Sequence, residues 1–218
     1  MIRVLVVDDE ASSRRGVARL VGSAPDLEVV GATADGREAV EQVRAHRPDV
    51  VLLDLRVPVL DGLGAAREIL RVGTTVVVLA TFPPDRHLVP ALRLGAAGYL
   101  LKDSTGEELH RGIRAAAAGG AVQSPADTRR LLDALGPAPS GTAQAARDRV
   151  APLSARERDV LACVAEGLPD ADIAARLHLA EPTVRAHLAQ VLTKLGAANR
   201  TQAAIVAHEA GLAPPAGG

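Results

Sequence analysis

The sequence predicts an α/β fold: a five-stranded, doubly wound parallel sheet joined to a small all-α helix-turn-helix domain. Two patterns carry this reading. In the first half, short runs rich in Val and Leu alternate with segments of helical spacing, while residues 153–212 are helical in pattern throughout. Between them, Gly, Pro, Ser and Ala accumulate without apolar periodicity in "GPAPSGTAQAARDR".

The strands are expected at 3–7, 27–32, 50–53, 75–79 and 98–101, each a continuous apolar run. Such runs belong to strands buried on both faces, as in a parallel sheet covered by helices. Helices are expected between them at 12–21, 36–44, 64–70, near 85–94 and at 107–118. Pro83 and Pro84 can start the fourth of these, but Pro90 would fall inside it. There it removes a hydrogen bond and clashes with the preceding turn, so a kinked, shortened or mobile helix, or one that starts late, is expected. Asp61 and Gly62 read as a turn, and a short helix is expected at 127–135. The division is then residues 1–121 as the sheet domain, 122–150 as a helical segment and flexible linker, and 151–213 as the helical domain.

Composition narrows the function. The chain has 218 residues, 48% hydrophobic and 23% charged, enough apolar side chains for two ordinary cores. With one Phe and one Tyr it has little to stack on single-stranded bases, and a net charge of −1 gives no global basic field. Any nucleic-acid binding must come from a local patch. A lone cysteine, Cys163, rules out an internal disulfide framework and reads as a small core residue. The six histidines are scattered without ligand spacing. With no signal-peptide pattern and no apolar run of the roughly 18 residues that suggest a membrane span, a cytoplasmic protein without membrane association is expected.

The strand ends carry the chemistry. "VLVVDDE" puts Asp8 and Asp9 at the end of the first strand, "VVLLDLRVP" puts Asp54 at the end of the third, and "GYLLK" puts Lys102 at the end of the fifth. Ligands of doubly wound sheets bind at this rim. Clustered carboxylates repel one another unless a cation neutralises them, and an all-oxygen site that keeps several waters suits Mg²⁺. Lys102 offers a point charge for a phosphoryl oxygen. Together these residues fit Asp54 as a nucleophile that forms an aspartyl phosphate, with no further catalytic residue.

In the second half, Ser154 and Glu157 have capping-box spacing, Gly167 ends the helix they start, and a short helix follows at 172–177. Pro182 then opens a longer one in which Val184, Leu188, Val191, Leu192 and Leu195 share a face opposite Arg185, Ala186, Ala189, Gln190 and Thr193. A short helix, a turn and a longer amphipathic helix are how a helix-turn-helix presents its recognition helix, although spacing alone also fits other small helical bundles.

The words "VLVVDDE", "DVVLLDLRVPVLDGL" and "GAAGYLLKD" resemble the receiver domain of two-component response regulators over about residues 1–120. "LSARERDVLACVAEGL", "DIAARL", "TVRAHLAQVLTKLG" and "NRTQA" resemble the LuxR-type helix-turn-helix of the NarL/FixJ response regulators over about residues 153–212. The resemblance implies a DNA-binding transcriptional regulator phosphorylated on Asp54 by a sensor histidine kinase. It implies Mg²⁺ held by Asp8, Asp9, Asp54 and the backbone carbonyl of Arg56, Lys102 as the phosphoryl contact, and Tyr99 as the aromatic half of the switch. It also implies that helix 182–195 reads double-stranded promoter DNA and that helix 201–210 pairs two subunits in a homodimer formed on activation. The candidate DNA-facing set is Thr183, Arg185, Ala186, His187, Ala189, Gln190 and Lys194.

Two departures from the family pattern stand out. Ala80 occupies the position where the family usually has a Thr or Ser hydroxyl that bonds the phosphoryl group, and it can donate no hydrogen bond. Thr81 would point to the other side of an extended strand unless a bulge intervened. In residues 153–212 the cations Arg156, Arg158, Arg176, Arg185, Lys194 and Arg200 face seven carboxylates, so this domain nets −1 and weak DNA binding is expected. Ala180 lacks the capping hydroxyl usual before the recognition helix. Three alternatives stay open: a phosphorylation-independent regulator, a Mg²⁺-dependent phosphohydrolase, and an interaction protein that no longer binds DNA.

Overall fold

The computed structural model describes residues 1–81, 87–120, 122, 123, 125–135 and 138–212. The chain divides into two compact units, Met1–Val122 and Gln123–Gly218.

In the first unit, strands β1 (Ile2–Val7), β2 (Leu27–Thr33), β3 (Val50–Asp54), β4 (Thr75–Ala80) and β5 (Gly98–Leu101) form one parallel sheet in the order β2-β1-β3-β4-β5. The order reverses between β1 and β3, which opens a crevice at their carboxyl ends. Every residue of β3 is buried, as its unbroken apolar run requires. Helices α1 (Ala11–Val21), α2 (Gly36–His46), α3 (Gly62–Arg71), α4 (Leu88–Leu94) and α5 (Gly106–Ala117) connect and follow the strands. On one side Val17, Val21, Leu109 and Ile113 pack against Val4, Val6, Leu52 and Leu79.

Local chemistry sets the helix starts. Asp35 caps α2 by accepting from the Glu38 N–H, and Thr105 and Glu108 close a reciprocal capping box on α5. Asp61, which reads from the sequence as part of a turn, is the N-cap of α3, and Gly62 is that helix's first residue. The fourth helix is short and starts late. With α4 opening at Leu88, Pro90 lies in the first turn, where a backbone N–H has no intrahelical partner to lose, so the proline costs no helical hydrogen bond. Pro83, Pro84 and Asp85 lie outside the described residues.

The second unit corrects the expected flexible linker. Beyond α6 (Pro125–Leu135), the stretch 140–150 is helix α7 (Ser140–Val150), and its Ala146 and Val150 are buried in the core with Leu161, Val191 and Leu195. Then come α8 (Ala155–Ala165), α9 (Asp170–Leu177), α10 (Glu181–Leu195) and α11 (Arg200–Ala210). The Ser154–Glu157 capping box forms as its spacing predicts, and Gly167 follows α8 with φ +79°. Ala180 precedes α10 without a side-chain cap.

In helix α11, Thr201 and Ala203–Ala207 are buried, while Arg200, Gln202 and His208–Ala210 are half-buried. Its neighbours within the unit are α6, α7, α8 and α10. Among the described residues no helix is long and apolar enough to cross a membrane.

Candidate functional site

The sheet brings the predicted acids together. Asp54 is the last residue of β3, and Asp8 follows the last residue of the adjacent β1. Both carboxylates are almost fully enclosed, at 2% and 0% exposure, whereas Asp9 is exposed at the rim. Ligand oxygens of Asp8, Asp9 and Asp54 all lie within 4.8 Å of one another.

Lys102, just past β5, joins them. Its Nζ lies 2.5 Å from Asp54 Oδ2 and 2.8 Å from Asp8 Oδ2. Burial opposes the charge on Lys102, but the hydrogen bonds and charges of Asp54 and Asp8 outweigh it and hold the ammonium above its usual range. The other Asp54 oxygen, Oδ1, accepts the Arg56 N–H at 2.8 Å, and the Arg56 Nε stands 3.7 Å from it. One ammonium and three carboxylates leave an excess of negative charge on hard oxygen donors. That donor set fits a small divalent cation such as Mg²⁺.

Sequence reasoning missed the residues that hold Asp8 in place. Its Oδ1 accepts the Glu10 N–H at 2.9 Å, its Oδ2 accepts the Ser13 hydroxyl at 2.6 Å, and its carbonyl accepts from Arg14 Nη1 at 2.6 Å. Ser13 and Arg14 sit on the first turns of α1, within reach of the end of β1. A serine and an arginine there look like ordinary helix-surface residues until the strand end is placed beside them.

The switch positions can be located in turn. Ala80 ends β4 at 6% exposure, and its carbonyl accepts the Lys102 N–H at 2.8 Å. The β4–β5 pairing runs in register through Ala80 and Leu101, so no bulge turns the strand before Thr81. Thr81 lies beyond the strand and is exposed, so the alternation of an extended strand no longer fixes its direction. Ala80, Thr81 and Leu88 line a small cavity together with Asp54 and Arg56. Tyr99, in β5, is half-buried.

In the second unit the recognition-helix pattern holds. Val184, Val191 and Leu195 are buried, Leu188 and Leu192 half-buried, and Thr183, Arg185, Ala186, Ala189 and Gln190 exposed. His187 is half-buried.

Lys194 is exposed, and its Nζ donates to both oxygens of Glu157 on α8 at 2.8 Å, so its charge is matched within the domain. That ammonium, together with the Ser154 N–H, pulls the Glu157 carboxyl down to about 2. Other cations are committed as well. Arg176 pairs with Glu166 at 2.6 Å, Arg200 with Asp170 at 2.7 Å, and Arg156 donates to the Leu177 carbonyl at 2.5 Å. Arg185 is different: it is 61% exposed and 3.9 Å from Glu181, a loose surface pair. Cys163 is buried in the core, and burial pushes its thiol up, as befits an inert packing residue.

Comparison with known proteins agrees with both halves. Residues 4–114 match the response regulator receiver domain, and residues 151–207 match the luxR family of bacterial regulatory proteins. The nitrate/nitrite response regulator protein NarL of Escherichia coli (strain K12) is 37% identical over 208 residues, 94% of each chain. The DNA-binding transcriptional activator DevR/DosR of Mycobacterium tuberculosis is 36% identical over 219 residues, spanning 100% of this chain and 99% of that one. Among solved structures, the response regulator ChrA of a heme-sensing two-component system covers 97% of this chain and 98% of its own, with 31% identity and a TM-score of 0.54. The signal receiver domain of the putative response regulator NarL from Mycobacterium tuberculosis covers 54% of this chain and 97% of its own, with 38% identity and a TM-score of 0.51. The chain therefore belongs to the NarL/LuxR family of two-component response regulators: it is a DNA-binding transcriptional regulator with a receiver domain and a LuxR-type helix-turn-helix.

Proposed function

We propose that the receiver takes a phosphoryl group on Asp54 from a sensor histidine kinase, and that this modification promotes a homodimer that reads double-stranded promoter DNA. The observation that carries the proposal is the environment of Asp54. A buried carboxylate is oriented by a backbone N–H on one oxygen and by the Lys102 ammonium on the other, beside two further carboxylates.

Asp8, Asp9, Asp54 and the backbone carbonyl of Arg56 would hold Mg²⁺, which when bound supplies Lewis-acid stabilisation of phosphoryl oxygens. The chain's own part is positional. Arg56 N–H and Lys102 fix the plane of the nucleophile, the Ser13 hydroxyl and Glu10 N–H fix Asp8, and Lys102 carries a full positive charge to meet the transferred group. The Asp54 oxygen attacks phosphorus, and the phosphohistidine nitrogen of the donor leaves with the bonding electron pair.

On the output side, Arg185, Thr183 and Gln190 are polar residues on the exposed face of α10, with Ala186 and Ala189 small enough to approach base edges or thymine methyl groups. His187 is a secondary contact. With Lys194 held by Glu157, few cations face a phosphate, and pairing two copies on one operator doubles them.

A second reading, control without phosphate, is favoured by Ala80, which withholds a hydroxyl from the cavity beside Asp54. The test is labelling with acetyl phosphate and Mg²⁺, comparing the wild type with Asp54→Asn. An acyl-phosphate label on the wild type alone supports the proposal. A label that persists in Asp54→Asn moves the acceptor elsewhere, and an unlabelled wild type favours the second reading.

A further inference from the structure

We infer that Arg149 of α7 is a positioning residue for DNA recognition: it holds the carboxyl end of the recognition helix α10 from a segment that lies outside the helix-turn-helix family match, which begins at residue 151. Its Nε and Nη2 both donate to the Leu195 carbonyl, at 2.9 and 2.5 Å.

Leu195 is the last residue of α10, and the carbonyls of a helix's last turn have no intrahelical partner. The turn at Gly196 takes care of two others, since Gly196 N–H is directed at Leu192 and Thr193 and Ala197 N–H bonds Leu192. The Leu195 carbonyl is met by the guanidinium fork instead. A cation there also opposes the negative end of the helix dipole.

The arginine is itself anchored. Its neighbours Ala146 and Val150 on α7 are buried in one core with Val191, Leu195 and Ala197, so the guanidinium is carried by a packed helix and not by a loose tether. The residue before the capped carbonyl, Lys194, bonds Glu157 of α8. The last turn of α10 is therefore gripped from α7 and from α8, and this fixes the rotation at which Arg185, Ala186, Ala189 and Gln190 are presented. Because the guanidinium is spent on a carbonyl, Arg149 acts through α10 and makes no phosphate contact of its own.

The experiment uses the full-length chain and a 30-bp duplex enriched by the wild type from a random pool, with a base-scrambled duplex beside it. Arg149→Gln is expected to lose about tenfold in affinity for the enriched duplex. It should hold its affinity for the scrambled duplex within about twofold and keep the wild-type salt slope, because no phosphate contact is removed. Arg149→Lys, which keeps the charge but not the fork, should fall between the two and show faster amide exchange at residues 193–195. That variant carries the test if Arg149→Gln does not fold. Unchanged or tighter binding of the enriched duplex by Arg149→Gln overturns the inference. So does a parallel loss on both duplexes with a salt slope reduced by roughly 0.9, which would make Arg149 a phosphate contact. Unaltered exchange and affinity in Arg149→Lys would likewise show that the fork does not position α10.

Discussion

A single methyl group at Gly62 should damage both the stability and the chemistry of the receiver. A Cβ built there would lie 2.3 Å from the Leu55 Cα and 2.6 Å from the Leu55 carbonyl oxygen, both backbone atoms that no rotamer change can move aside. Relief to van der Waals contact requires a shift of about 1 Å in the start of α3 or in the loop after β3. Overpacking of this kind costs roughly 1–3 kcal/mol, and a backbone obstacle places Gly62→Ala at the upper end, about 3 kcal/mol or a fall of about 10 °C in Tm. Leu55 lies between Asp54 and Arg56, so its displacement takes the Arg56 N–H away from Asp54 Oδ1 and should lower acetyl phosphate labelling as well.

Gly16→Ala is the matched control. Gly16 is exposed within α1 with nothing within 4 Å of its Cβ position, so alanine there should stabilise by roughly 0.5–1 kcal/mol. Urea unfolding followed by circular dichroism measures both. If Gly62→Ala unfolds at the wild-type midpoint and labels normally, the packing argument is refuted.

Two further substitutions test local readings. Val59 is a β-branched residue at φ +68° and is 74% exposed, so Val59→Gly gives up little burial and should raise stability by about 1 kcal/mol; a loss in urea unfolding would show that the loop carries no such strain. Glu157 has its carboxyl lowered from 4.5 to about 2 by the Lys194 hydrogen bond and the capping N–H, so its contribution is complete above pH 4.5 and vanishes as the pH falls toward 2. Glu157→Gln should therefore be less stable than the wild type at pH 6 and converge with it through that window, and a constant difference across it would contradict the pairing.

The parts of the fold that are legible in the sequence are those written in local patterns. The five strands are continuous apolar runs, and a parallel sheet puts their carboxyl ends on one rim, so the order of the runs is enough to bring Asp8, Asp54 and Lys102 together. The Ser154–Glu157 box is equally local. What escapes depends on distant partners. Helix α7 is mostly small and polar, and only Ala146 and Val150 reach the core, too few to show a periodicity. A guanidinium's destination is invisible in sequence: Arg149, Arg156 and Arg200 end on carbonyls of Leu195, Leu177 and Leu168, which no local pattern announces. The Lys194 pair is hidden for the same reason, since Glu157 lies on another helix. Pro90 reads as a breaker because the start of α4 at Leu88 cannot be fixed from spacing alone.

The most direct test of the account is sedimentation of the purified chain with Mg²⁺, with and without BeF₃⁻ as a phosphoryl mimic, beside Asp54→Ala. The account predicts a BeF₃⁻-dependent shift to a dimer in the wild type and none in Asp54→Ala, despite the alanine at position 80. An assembly state that BeF₃⁻ leaves unchanged, or a shift that survives Asp54→Ala, would contradict the claim that modification of Asp54 drives assembly.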